Sequence, residues 1–335
     1  MSSAAFSVAA AAEASLDRRT RMLRTAMGPL IAAALDDPDV VEVMLNPDGV
    51  LWSDRLTQGR VRLGTLPPEH GERIIRLVAA HVGAEAHRTK PLLSAELPET
   101  GERFEGVLPP VASAPTFALR KRSCGVISLG QYVADGILSC DQAQYLQAAV
   151  RDRQNILVAG GTGTGKTTLA NAMLEEVVST NDRVLVLEDT IELQCPVHDH
   201  VALRTKPGLV SMADLVRSTL RLRPDRVVVG EVRGGEALDL IKAWGTGHPG
   251  GIATIHAGSA QGALLRLEQL ILEVALTAPR ALIAETVNLV VFLSGRGRSR
   301  HVQQIARVMG HDSHGYQLAS IDTLLRTRDS QGERS

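Results

Sequence analysis

Between residues 17 and 35 apolar side chains recur at helical spacing, at Leu23, Met27, Leu30, Ile31 and Ala34. That spacing predicts a helix, and Asp36-Asp37-Pro38 stops it. The run 40–45 then predicts a strand, and Asn46-Pro47-Asp48-Gly49 a turn. Residues 50–52 return as a second strand, with a third over 59–63. An amphipathic helix is predicted over 69–82, and short strands over 91–120, broken by Gly101, Pro109-Pro110 and Pro115. Antiparallel strands with helices make a small α+β domain, placed at 16–125. Residues 1–15 read as a loose, fraying helix, and 126–150 as the connection to a second half.

From residue 151 the pattern changes. Continuous apolar runs at 155–159, 183–187, 227–229 and 252–255 alternate with helical stretches. Strands apolar on both faces belong to a parallel sheet covered on both sides, so 151–325 is predicted to be an α/β domain. The polar tail 326–335 is expected to be disordered.

Composition narrows the class. The 335 residues are 44% hydrophobic and 22% charged, as in an ordinary soluble protein, and the formal net charge is −1. Such a balance creates no global attraction to nucleic acid, and at 3% aromatics the chain is poor in stacking platforms. Strong intrinsic nucleic-acid binding is therefore not expected. Cys124, Cys140 and Cys195 are odd in number and far apart. They are read as reduced, mostly buried thiols of a cytosolic protein, with no zinc ribbon. The alanine-rich start lacks the basic region of a secretory signal, and no run of about 20 apolar residues would span a membrane.

The chemistry lies in the second half. Gly160, Gly161, Thr162, Gly163, Thr164, Gly165, Lys166, Thr167 and Thr168 follow a buried strand and open a helix. This is the phosphate-binding loop in its required context. Its glycines let backbone N–H groups turn inward around a β-phosphate, Lys166 reaches the β- and γ-phosphates, and the Thr167 hydroxyl ligates Mg²⁺. The cofactors predicted are ATP and Mg²⁺, with no other metal.

Hydrolysis also needs acids at the carboxyl ends of neighbouring strands. One strand closes on Glu188 and Asp189, with Glu192 shortly after, and another on Glu231. Glu231 is expected to polarise water, and Glu188, Asp189 or Glu192 to help hold Mg²⁺. The competing reading makes these acids solvated strand ends or helix caps. Where an aspartate metal anchor would ordinarily precede Glu231, Gly230 stands instead. His256 ends the fourth strand and either reads the γ-phosphate or serves the structure, and His248 divides evenly between such roles. Arg217, Arg221, Arg223 and Arg226 are read mostly as a solvated face. As the only candidate for an arginine-rich kinase lid, they lie on a predicted helix. Arg103 and Arg120 are the candidates for catalytic arginines, weighed evenly against surface roles.

The ordered segments Gly-Gly-Thr-Gly-Thr-Gly-Lys-Thr-Thr, Leu-Glu-Asp-Thr-Ile-Glu-Leu, Leu-Arg-Pro-Asp-Arg-Val-Val-Val-Gly-Glu-Val-Arg and Thr-Gly-His-Pro-Gly-Gly-Ile-Ala-Thr-Ile-His-Ala resemble the secretion ATPases of conjugative and type IV systems. Among these the chain is most similar to the TrbB type, from about residue 20 onward. The resemblance implies a RecA-like P-loop NTPase domain preceded by the smaller α+β domain, and a homohexameric ring of two layers. It implies that Glu188, Asp189, Glu231 and His256 surround ATP, with Arg103 and Arg120 approaching the phosphates. It further implies a cytoplasmic motor, peripheral on the inner membrane, driving pilus assembly or substrate transfer with inner-membrane components. Against this stand a DNA-translocating RecA-like ATPase and a P-loop kinase.

Overall fold

The computed structural model describes residues 3–97, 101–122, 125–206 and 208–323, and within the first helix the side chains of Arg18 and of Arg21 onward. Contacts divide the chain into two units, Met1–Cys124 and Gly125–Ser335.

In the first unit, α1 (Ser3–Asp36) is interrupted at Gly28, whose φ of 80° and ψ of 170° leave the helical region. Pro29 follows, where its missing N–H and fixed φ suit the first position of a new helical segment. Leu23, Met27, Ile31 and Ala34 are buried as expected, but Leu30 stays 46% exposed. The strands are β1 (Val40–Leu45), β2 (Val50–Arg55), β3 (Gly59–Thr65), β4 (Leu92–Glu96), β5 (Arg103–Val107) and β6 (Thr116–Arg120). They form one antiparallel sheet in the order β3-β2-β1-β6-β5-β4. Helix α2 (Pro68–His81) buries Ile74, Ile75 and Val78 in the same core as Phe104 and Phe117, whose rings stack 5.4 Å apart. Arg103 and Arg120 stand directly opposite each other across β5 and β6.

In the second unit, the segment expected to be a connection is instead two helices, α3 (Leu129–Ala134) and α4 (Cys140–Arg151). Their Leu129, Tyr132, Leu146, Ala149 and Val150 belong to its core. Gly136, the residue that suggested a linker, takes a positive φ of 70° just past α3. The remaining elements are β7 (Ile156–Gly160), α5 (Lys166–Val177), β8 (Val184–Glu188), β9 (His200–Arg204), α6 (Met212–Thr219), β10 (Arg226–Val229), α7 (Glu236–Gly245), β11 (Ile252–His256), α8 (Ala260–Ile271), α9 (Arg280–Thr286), β12 (Leu289–Ser294), β13 (His301–Asp312) and β14 (Gly315–Ser320).

The sheet order is β14-β13-β12-β7-β11-β10-β8-β9. From β12 to β9 the pairs are parallel, while β12-β13 and β13-β14 are antiparallel. Strands β7, β8 and β10 are buried at every residue. Their side chains alternate between two cores, Leu157, Ala159 and Leu187 on one face and Ile156, Val158 and Val186 on the other. Helices on both faces are what such strands require.

Two further expectations change. Arg226, read as part of a solvated face, is fully buried. Its Nε donates to Asp182 Oδ2 at 2.6 Å, and Arg153 pairs with the other oxygen of the same carboxylate. Arg217 is held by Asp239 at 3.0–3.1 Å, so neither residue is free to act in a lid. The thiols also differ from their reading: Cys140 is exposed and Cys195 half-buried, both free, while Cys124 and the tail from 324 lie outside the described residues. Among the described residues no helix is long and apolar enough to cross a membrane.

Candidate nucleotide site

Strand β7 ends at Gly160, where no larger residue fits. A Cβ would lie 2.5 Å from Thr164 Oγ1 and 2.9 Å from the Leu293 carbonyl. The chain then turns through Gly163 and Gly165, at φ of 77° and 89°, the left-handed region that glycine enters at little cost. Gly165 is the N-cap of α5, so the first amides of that helix point into the loop, where they favour an anion. Thr164 closes the turn by donating to the Gly161 carbonyl at 2.9 Å.

Lys166 is 8% exposed. Its Nζ donates to the Gly161 carbonyl at 3.2 Å and stands 3.3 Å from His256 Nδ1. Sheet register explains the second contact. β11 runs beside β7 with His256 level with Gly160, so the end of one strand meets the start of the loop from the other. His256 Nε2 lies 2.7 Å from Glu231 Oε1. Glu231 follows β10, the next strand out, and its Oε2 accepts from Arg233 Nε at 2.6 Å. Lys166, His256, Glu231 and Arg233 thus form one line across three strand ends.

A second cluster lies around α5. Thr167 Oγ1 donates to Glu192 Oε2 at 3.0 Å. Glu188, ending β8, is 5% exposed, and its Oε1 accepts from the amides of Glu192 and Leu193 at 2.9 and 2.8 Å. Asn171 ties the same segment to the helix through the Glu192 carbonyl and the Gln194 amide. Asp189 turns elsewhere, accepting from Thr205 Oγ1 at 2.8 Å, with Arg233 Nη1 3.7 Å from its other oxygen. His248 Nδ1 lies 3.2 Å from the Ala243 carbonyl of α7.

Two residues that sequence reasoning passed over also meet the loop. The Arg296 side chain lies beside Gly163, and the Arg300 guanidinium lies over Gly165. Their segment, Gly-Arg-Gly-Arg-Ser-Arg, reads as an ordinary polar turn. Only the placement of β12 alongside β7 brings it here.

The sequence model of the type II/IV secretion system protein family matches residues 93–308. The chain belongs to that family. It is an ATP hydrolase, and its fold is that of the secretion ATPases. It is 45% identical over 302 residues to the conjugal transfer protein TrbB of Rhizobium radiobacter, covering 90% of this chain and 93% of that one. It is 32% identical over 272 residues to the type IV secretion system protein VirB11 of Brucella suis, covering 71% and 75%. The fold is similar to that of the pilus retraction motor PilT solved with ADP, at a TM-score of 0.57 and 20% identity over 91% of this chain and 87% of that one.

Proposed function

We propose that this secretion ATPase is a Mg²⁺-dependent motor, in which residues 160–168 hold ATP and Glu231 polarises the attacking water. The observation that carries the reading is the contact line from Lys166 through His256 to Glu231. It joins the side chain suited to the γ-phosphate to the carboxylate suited to a general base, with an imidazole between them. When a triphosphate enters, Lys166 exchanges the Gly161 carbonyl for phosphate oxygens. His256 is then placed to donate a hydrogen bond to the γ-phosphate, and Glu231 to take a proton from water.

The Thr167 hydroxyl and the Glu192 carboxylate suit Mg²⁺, which takes hard oxygen donors and relies on few protein ligands besides water and phosphate. Glu188 positions Glu192 through its backbone amide. Bound there, the ion would neutralise charge on the β- and γ-phosphates. Among the described residues no group of three or more His, Cys, Asp or Glu could hold a metal alone, so the ion is expected to arrive with the nucleotide.

In the same reading Arg103 and Arg120 serve the phosphates as catalytic arginines. The chain works as a homohexameric ring, peripheral on the inner membrane, within a conjugation or type IV secretion apparatus. Support comes from its relatives' printed roles in conjugal transfer and type IV secretion.

The test is phosphate release from ATP by the full-length protein. Glu231→Gln should lower kcat by about 10²–10⁴-fold, the range of a general base. Lys166→Ala should abolish turnover. Full activity of the Glu231→Gln protein would sink the water-polarising role. Light scattering after size exclusion with ATP and Mg²⁺ should give a six-fold mass, and a strict monomer would overturn the ring.

A further inference from the structure

Beyond the loop and the acids, the described contacts include a cationic cluster with no assigned role. β12 pairs with β7 in parallel register, Leu293 level with Gly160, so the chain leaving β12 emerges beside the phosphate loop. It turns at once through Gly295 and a short 3-10 turn over 297–299, closed by the Arg296 amide donating to Ser299 Oγ at 3.1 Å. This turn carries two arginine side chains back against the loop. Arg296 Cδ and Nε each lie 3.8 Å from where a Cβ on Gly163 would sit. The Arg300 Cζ, Nε and Nη1 lie 2.9–3.0 Å from the corresponding point on Gly165. Gly165 is favoured by its φ of 89°, and the guanidinium packs directly above it.

Among the described residues Arg296 and Arg300 make no ion pair, and the neighbour that hydrogen-bonds the Arg300 guanidinium is the uncharged Tyr132 hydroxyl. The acids of the site are engaged elsewhere: Glu192 with Thr167, Glu188 with backbone amides, Glu231 with His256 and Arg233. Tyr132, fully buried on α3, lies close enough to Arg300 to feel its charge. Burial pushes the Tyr132 hydroxyl up to about 12, against the pull of the guanidinium. A guanidinium packed against the loop glycine, with no carboxylate to balance its charge, suits an anion held by that loop.

We propose that Arg300, assisted by Arg296, binds the phosphate chain of the nucleotide from the same subunit as the phosphate loop. This rests on the reading of residues 160–168 as the nucleotide cradle. Arg300 supplies a planar two-pronged contact to a phosphate oxygen pair, and Arg296 adds charge at the mouth of the loop.

The test is calorimetric titration of ATP, ADP and inorganic pyrophosphate into the full-length protein and its variants, with Lys166→Ala as reference. Arg300→Ala should weaken all three ligands about tenfold or more, as loss of a charge-assisted contact does. Arg300→Lys should fall between, keeping charge but losing the fork, and Arg296→Ala should weaken binding by a few-fold. If Lys166→Ala abolishes binding and Arg300→Ala leaves it unchanged, the arginine assignment fails and the cradle stands. If Lys166→Ala leaves binding intact, the cradle lies elsewhere and both fail. If Arg300→Ala weakens nucleotides but not pyrophosphate, the contact is to base or sugar and the phosphate assignment falls. Should Arg300→Ala not fold, Arg300→Lys and Arg300→Gln decide the matter by the same comparison.

Discussion

The Glu188 side chain fills the space that any side chain at Gly230 would need: a Cβ there would lie 3.0 Å from Glu188 Cγ and 3.2 Å from its Oε1. The glycine that replaces the expected aspartate is therefore tied to the neighbouring strand. The space beside position 230 is taken by the Glu188 side chain. Its Oε1 orders the segment that carries Glu192.

Filling that space should damage both folding and turnover. Gly230→Ala is expected to cost about 1–3 kcal/mol, as overpacking does. By displacing Glu188 it should also lower kcat at least tenfold. Gly230→Asp should be worse, since it adds a like charge beside the Glu188 carboxylate. Melting temperature and steady-state ATP hydrolysis, measured together, check the pair. A Gly230→Asp protein with unaltered kcat would show that Glu188 does not need its present position.

His256 stands between Lys166 and Glu231, with 48% of its side chain exposed. Replacing it should not cost much stability. His256→Ala is expected to lower kcat by about 10²-fold, in the range of a single lost transition-state hydrogen bond, with a smaller change in KM. Equal loss of kcat and of thermal stability would point to a structural histidine.

The Asp182–Arg226 pair sets an acid limit on stability. Burial alone would raise the Asp182 carboxyl, but hydrogen bonds from Thr180 and Arg226 and the Arg226 charge hold it below its ordinary value. A carboxyl lowered in the folded state contributes fully above its unfolded value of about 3.9, and that contribution is lost as pH falls through the lowered native value. Asp182→Asn, which leaves a fully buried guanidinium without its counter-charge, should cost about 3 kcal/mol or more near neutral pH. The variant's deficit should shrink below pH 4. Chemical denaturation across pH 3–7 measures both effects.

Much of this fold was legible in the apolar pattern. The buried runs around 156–160, 184–188, 226–229 and 252–256 could be read as strands because every residue in them is apolar or nearly so. β9 was not, since it lies at the sheet edge and alternates exposed and half-buried positions over only five residues. β13 and β14 mix polar and apolar residues on an antiparallel ribbon, where burial is one-sided. Within the site, the phosphate loop and His256 announce themselves by local sequence. Arg296 and Arg300 do not, because their meaning comes from strand order. Arg226 was misread for a related reason: a buried ion pair with Asp182, 44 positions away, has no local signature.

The pairing of β7 with β11 has a consequence for when the enzyme can act. Gly160 and His256 are level only in the native register, and a slip of one residue would carry the imidazole about 3.3 Å along the strand, out of reach of the lysine. In the proposed mechanism, fuel consumption therefore waits on completed strand pairing.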